Sequence, residues 1–179
     1  RYIRDGDCYQ VNLAQRLSAL ARGDPWSAYL QLRSRMASPY SAFLSRDSAS
    51  VLSFSPERFL HLAGGRVETR PIKGTRRRGA TPEADREQAR QLLASEKDRA
   101  ENVMIVDLMR NDLGKSCRTG SVRVEQLCAL ESYANVHHLV SVVSGEPDPA
   151  RGPARLLADC FPGGSITGAP KIRAMQIID

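Results

Sequence analysis

The sequence predicts an α+β fold of mainly antiparallel β-sheets flanked by helices, and three observations predict it. Strand-like runs cluster at residues 40–72 and again at 122–144, helical patterns cluster between them, and no regular strand–helix alternation links the two kinds. A chain of 179 residues is long enough to bury one sizeable core, so one domain over 1–179 is expected and two would be crowded.

The elements follow in order. Residues 7–19 alternate apolar and polar side chains, with Tyr9, Val11 and Leu13 set against Gln10 and Asn12, and this period of two predicts one long strand. Asp24-Pro25-Trp26 supplies an N-cap and a first-turn proline, which opens a helix over 25–36. Runs at 40–45, 50–54 and 58–62 are broken by Arg46-Asp47 and Ser55-Pro56, and Gly64-Gly65 turns the chain back into 66–72, the pattern of an antiparallel meander. A polar loop is expected at 76–84, overlapping the start of a helix over 82–95. A second helix over 97–110 carries Val103, Ile105, Val106 and Met109 and ends at Asn111-Asp112-Leu113-Gly114. Strands at 122–133 and 136–144 and a short helix at 153–160 precede the glycine-rich stretch 161–171, and 170–179 reads as a helix. Both ends look cut. Arg1-Tyr2-Ile3-Arg4 precedes Asp5-Gly6-Asp7 as the last turn of a helix would, and the final helix stops without a glycine terminator, so an internal fragment of a longer polypeptide is expected.

Composition excludes several classes. The net charge of +6 is spread along the chain, and its one tight cluster, Arg76-Arg77-Arg78, suits a small anionic ligand at least as well as nucleic acid. No aromatic-rich RNA motif or recognition-helix pattern accompanies the charge, which makes a nucleic-acid partner a poor third option. The cysteines Cys8, Cys117, Cys128 and Cys160 lack paired metal-ligand spacing, and no signal-peptide pattern is present, so a reducing cytoplasm is the default. No apolar run approaches the roughly 20 residues that cross a bilayer, and no membrane association is expected.

Several side chains have chemistry to offer. Lys73, between Ile72 and Gly74 at the expected end of a strand, would become a nucleophile if partly desolvated, although an exposed strand-end lysine is the commoner outcome. Glu57, in the turn Ser55-Pro56-Glu57, would act as a general acid in an apolar site, or sit at a strand edge as a surface glutamate. Glu101 lies three positions after Asp98, so both carboxylates fall on one helix face and could serve a hard cation such as magnesium. Exposed acidic pairs are common, however. His137 and His138 point to opposite faces of their strand, so only one can line a given cavity. The loop 163–170 offers backbone N–H groups to an anion, without the lysine-hydroxyl ending of a nucleotide loop.

Taken together, Asp7-Cys8-Tyr9-Gln10-Val11-Asn12-Leu13, Phe54-Ser55-Pro56-Glu57, Pro71-Ile72-Lys73-Gly74-Thr75, the helix segment from Glu101 to Leu108, Arg110-Asn111-Asp112 and the stretch 161–171 resemble the chorismate-utilising enzymes in family order. These include anthranilate, aminodeoxychorismate, isochorismate and salicylate synthases. The resemblance implies the family's fold, chorismate as substrate, and Mg2+ bridging the ring carboxylate with Glu101 as one metal ligand. It matches Glu57 to the acid that assists departure of the C4 hydroxyl and His138 to the active-site histidine. It matches Gly74 and Thr75 to a substrate-contacting pair, and Ser165, Gly168 and Ala169 to a loop near the substrate.

Two positions sort the members. Gln10 matches the glutamine of the ammonia-using enzymes, where the water-using ones carry lysine. Lys73 stands where anthranilate synthase usually has alanine, which favours aminodeoxychorismate synthase and para-aminobenzoate and folate biosynthesis. There the lysine is expected to attack C2 as the C4 hydroxyl leaves, with ammonia from a glutamine amidotransferase partner then entering at C4. Pro39, Tyr40 and Ser41 resemble part of a tryptophan pocket. The remaining magnesium carboxylates and a substrate-binding arginine are expected beyond Asp179, so very low activity is expected of the chain alone. The alternatives are an anthranilate synthase component, or a fragment that only binds or assembles.

Overall fold

The computed structural model describes residues 1–36 and 38–179, which group into two compact units, one of residues 1–13 and 59–179 and one of residues 14–58. The elements are strand β1 (Gln10–Val11), helix α1 (Pro25–Met36), strands β2 (Tyr40–Arg46), β3 (Ala49–Ser55), β4 (Arg58–Ala63), β5 (Arg66–Arg70) and β6 (Ile72–Arg77), then helices α2 (Pro82–Ala94) and α3 (Glu96–Gly114). Strands β7 (Arg123–Ser132) and β8 (Val136–Gly145), helix α4 (Pro153–Cys160), the single turn α5 (Gly164–Thr167), strand β9 (Gly168–Ala169) and helix α6 (Lys171–Ile178) complete the chain. All recorded pairings are antiparallel, as the clustered runs predict.

The smaller unit is a hairpin under a helix. β2 pairs with β3 from Tyr40↔Ser55 to Arg46↔Ala49. On it lies an aromatic cluster in which Tyr29, the one buried residue of α1, stacks on Phe54 at 5.4 Å and Trp26 meets Phe43 edge-on at 5.1 Å. The helix starts where the sequence places it, because the Asp24 carboxylate accepts from the Ser27 N–H at 2.8 Å.

In the larger unit β8 is the central strand. β7 covers one edge, and β5 and β6 share the other, β5 beside the C-terminal half of β8 and β6 beside the N-terminal half. The run expected as one strand over 66–72 is therefore divided at Pro71, which has no N–H to give the ladder but accepts from the Ser141 N–H at 3.1 Å. β6 then continues to Arg77, where a loop was expected.

Helices α2 and α3 pack on one face of this sheet. Ser95 ends the first and caps the second, accepting from the Asp98 N–H at 3.3 Å, so the two are one residue apart. The second helix outruns its expected end at Arg110 because its last turns are buried: Met109, Asp112 and Leu113 are each no more than 3% exposed. Val67, Val106, Leu113, Val143, Leu156 and Cys160 form the core between helices and sheet. The buried Asn102 side chain donates to the Leu139 carbonyl at 3.1 Å and accepts from the Ser141 hydroxyl, which itself accepts from the Cys128 N–H at 2.8 Å at a bulge in β7.

The long strand expected at 7–19 is confined to Gln10–Val11, the only two residues there with a strand partner, β9; Leu13, Leu17 and Leu20 stand exposed. The opening turn does close as read: the N–H of Asp7 bonds to the Tyr2 carbonyl at 3.0 Å and that of Gly6, at φ +81°, to Ile3 at 3.3 Å.

Two of the three clustered arginines are engaged within the fold. Arg76 pairs with Asp98 at 3.3 Å, and Arg78 makes a two-pronged pair with Asp85 at 2.7 and 2.6 Å. Asp85 also accepts from the Gly79 N–H and from Nε2 of the buried His137, whose Nδ1 lies 2.8 Å from the Ser132 hydroxyl. The Arg78 guanidinium, together with these donors, holds the Asp85 carboxyl far below the usual carboxylate range. A lowered folded value stabilises the protein above the unfolded carboxylate value, and that stabilisation is lost as pH falls. Denaturant midpoints measured against pH are therefore expected to drop on acidification below about pH 4, and to drop less in Arg78→Met.

Candidate active site

A cavity of about 1040 Å³ opens in the larger unit between the outer face of α3, β1, and the start of α6. Glu101, Met104, Asp107 and Leu108 form one wall, and Gln10, Ala169 and Ile172 face them. The 3.6-residue repeat of α3 sets that wall, since positions 101, 104 and 108 fall on one side of the helix. The neighbouring Asn102 points into the core and fixes the rotation of the helix through its bonds to β8.

Gln10 is held opposite by a two-residue ladder, with the Tyr9 N–H on the Ala169 carbonyl at 2.8 Å and the Asn12 N–H on Thr167 at 2.9 Å. Its side-chain amide donates to the Asn12 oxygen at 2.9 Å, and the Asn12 amide donates to the Ser165 carbonyl at 2.8 Å. The stretch 163–170, expected as a loop leading into a helix, is a helical turn followed by the paired strand β9, after which α6 begins. Gly168 stands at φ +145° with the Gln10 carbonyl 2.1 Å from where a Cβ would be, so close backbone approach is what this glycine permits.

A charged cluster that sequence reasoning did not single out closes the cavity floor. Asp112, 1% exposed, lies between Lys115 at 2.9 Å and a close pair with Lys171, whose ammonium also donates to the Cys160 carbonyl at 2.8 Å. Both residues lie in matched motif stretches, and only the fold shows that they meet. Burial, reinforced by Asp112, pushes the nearby Cys160 thiol up to about 12. Lys171→Met would leave the buried Asp112 with Lys115 as its one cation, so it is expected to cost about 2 kcal/mol in denaturant unfolding, less than a fully unpaired buried charge.

A second group of expected site residues gathers on β6 and β8. Lys73 is not at a strand end as expected but inside β6, half-buried, in a bulge where the pairing moves from Ile72↔Val140 to Thr75↔His138. Gly74 takes φ +92° there, with the Asp98 Cβ 2.9 Å from its missing side chain. The Thr75 hydroxyl and Nδ1 of His138 share a hydrogen bond of 2.8 Å. His137 and His138 do face opposite ways, the first buried against Asp85 and the second half-buried on the other side of the sheet.

The helix-face pair of carboxylates is not a pair in the fold. Asp98 is drawn to Arg76, while Glu101 faces the cavity with Lys97 at 3.8 Å. Glu101 fits a magnesium ion as one oxygen ligand, and the described residues contain no group of three His, Cys, Asp or Glu side chains able to hold a metal.

The remaining expected residues belong to the smaller unit. Glu57 is half-buried in the turn before β4, where the Ser55 hydroxyl donates to its carbonyl at 2.9 Å and accepts from its N–H at 3.2 Å. Pro39 is exposed, Tyr40 begins β2 with the Arg58 guanidinium 5.8 Å over its ring, and the Ser41 hydroxyl bonds to the Ser38 carbonyl at 2.8 Å.

Residues 1–179 match the family described as chorismate binding enzyme over their whole length. The chain belongs to that family. It is 56% identical over 178 residues to aminodeoxychorismate synthase component 1 of Klebsiella aerogenes, covering 99% of this chain and 40% of the relative. It is 50% identical over 179 residues to an anthranilate synthase component 1 of Haloarcula marismortui, covering 100% of this chain and 37% of the relative. The crystal structure of anthranilate synthase component I from Streptococcus pneumoniae superposes with a TM-score of 0.86 at 38% identity, covering 99% of this chain and 39% of that one. The α+β fold is therefore the fold of chorismate-utilising enzymes, and the chain spans about 40% of the length of the aminodeoxychorismate synthase component 1 relatives it matches. No helix among the described residues is long and apolar enough to cross a membrane.

Proposed function

We propose that this chain forms the part of an aminodeoxychorismate synthase component that holds chorismate while ammonia replaces its C4 hydroxyl. The reading rests on Lys73, a lysine where anthranilate synthases usually have alanine, half-buried in a bulged strand beside the Thr75–His138 pair. The Lys73 amine would bond to ring C2 as the C4–O bond breaks, with Glu57 giving the hydroxyl the proton it needs to leave as water. Ammonia would then bond to C4 as the C2–N bond breaks and the lysine amine is restored, and its surplus proton would pass to His138 or solvent. Gln10, whose amide donates to Asn12, keeps its oxygen as an acceptor for the ammonia N–H groups. Gly74, Thr75, Ser165, Gly168 and Ala169 would contact the substrate. Glu101 would help hold Mg2+, which supplies positive charge against the ring carboxylate.

Ammonia would come from a glutamine amidotransferase partner, and tryptophan at Pro39, Tyr40 and Ser41 is a further ligand of this reading. The 50% identity to an anthranilate synthase component favours that activity as the second reading. The test inserts this segment into the Klebsiella aerogenes relative in place of its matching portion and supplies chorismate, Mg2+ and ammonium. 4-Amino-4-deoxychorismate as the product supports the proposal; anthranilate with pyruvate rejects it. The 179-residue chain alone is expected to turn over far more slowly than the chimaera.

A further inference from the structure

The sheet face turned away from α2 and α3 carries a row of polar side chains. Strand register sets Glu131 of β7 directly opposite His138 of β8, and His138 directly opposite Thr75 of β6. Directly opposed residues stand about 5 Å apart at Cβ, so the imidazole has a carboxylate on one side and a hydroxyl on the other.

The surroundings of that row are fixed more firmly than a solvated sheet face requires. Just past β7, the Tyr133 N–H bonds to the Val136 carbonyl at 2.8 Å, and the Arg78 guanidinium donates to the Tyr133 carbonyl at 2.8 Å. That turn brings the tyrosine ring edge-on to His138, with centroids 5.5 Å apart and planes at 62°. The Tyr133 hydroxyl donates to one Glu131 oxygen at 2.8 Å, and Arg70 holds the other in a close pair, reaching across β8 from β5. Glu68 stands 4.0 Å from the same arginine.

We propose that Glu131 and Tyr133, held by Arg70, are positioning residues for His138, fixing with Thr75 the orientation and tautomer of its imidazole. None of the three was among the expected site residues, because each is an ordinary strand or turn residue until the register sets it beside the histidine. The inference rests on the functional reading only for the use made of the imidazole. A ring held by the Thr75 hydroxyl at Nδ1 and by the edge of Tyr133, which Glu131 anchors, keeps one nitrogen protonated and one lone pair aimed, which proton transfer needs.

Nitrogen-15 NMR of the imidazole in the 179-residue chain reads this without any turnover. One neutral tautomer is expected to dominate at His138 in the parent chain. Tyr133→Leu and Glu131→Gln are both expected to shift the ring nitrogens toward a mixed population, and Tyr133→Phe, which keeps the ring and loses the hydroxyl, is expected to fall between. In the chimaera with chorismate, the same changes are expected to lower kcat on the order of tenfold with KM nearly unchanged. Unchanged His138 nitrogen shifts in Glu131→Gln, with only the melting temperature lowered, would make the cluster a structural clamp and overturn the proposal. Tyr133→Leu, if folded, must agree. Should His138→Ala leave amination intact while the shifts still respond, positioning stands and the functional reading falls.

Discussion

Replacing Lys73 by alanine is expected to lower amination of chorismate by the chimaera on the order of 10³-fold, the scale on which a covalent nucleophile contributes. The side chain would supply the bond at C2 that lets nitrogen enter C4 on the face the hydroxyl left, and no neighbouring amine can replace it. Of the other cations on β6, Arg76 is paired with Asp98, and neither it nor Arg77 is an amine, because a guanidinium stays charged. Lys73→Arg is expected to be nearly as poor, because a guanidinium stays charged and has no lone pair to offer. Mass spectrometry of enzyme quenched during turnover should find a substrate adduct in the parent and none in Lys73→Ala. Undiminished amination by Lys73→Ala would remove the covalent role and leave direct displacement by ammonia, the chemistry of the anthranilate-forming alternative.

Much of this was legible in the sequence where local chemistry decides structure. The helix over 25–36 and the helix over 153–160 match α1 and α4 residue for residue, because a proline at the first helical position leaves little freedom of register. The β2–β3 and β7–β8 hairpins were legible from alternation and turn residues, but the single meander expected over 40–72 is divided between two sheets, with β2 and β3 in one and β4 and β5 in the other. What failed depended on partners distant in sequence. Residues 13–19 continue the alternation of a strand and take no part in the described strand pairings; α3 continues past Arg110 because Asp112 and Leu113 are buried by elements far along the chain. The same limit governs the site. Motif resemblance marked Lys73, Glu101 and His138 singly. That Lys171 reaches Asp112, or that Arg70 spans a strand to Glu131, has no signal in any local window.

Gly168→Ala tests the dependence of the cavity on one backbone contact and is expected to be severely damaging. An added Cβ would stand 2.1 Å from the Gln10 carbonyl oxygen and 2.8 Å from the Ala174 Cβ, at a φ of +145° that side chains rarely adopt. The first clash is with backbone, so no side-chain rotation relieves it. Either β9 leaves β1 or the conformation strains, and the two together are expected to cost about 3 kcal/mol or more. The break would fall at the site itself. Tyr9, Gln10 and Asn12 lose their ladder to residues 167–169, so the glutamine amide and the Ala169 wall would separate. Denaturant unfolding should show the lost stability. Hydrogen exchange should show the Tyr9 and Asn12 amides exposed before those of β8, whose strand neighbours are untouched. In the chimaera, KM for chorismate and kcat should both worsen, since the change moves a wall of the cavity rather than one catalytic group. Protection of those two amides at the parental level would mean that the ladder bends around the methyl, and that Gly168 is not what holds Gln10 in place.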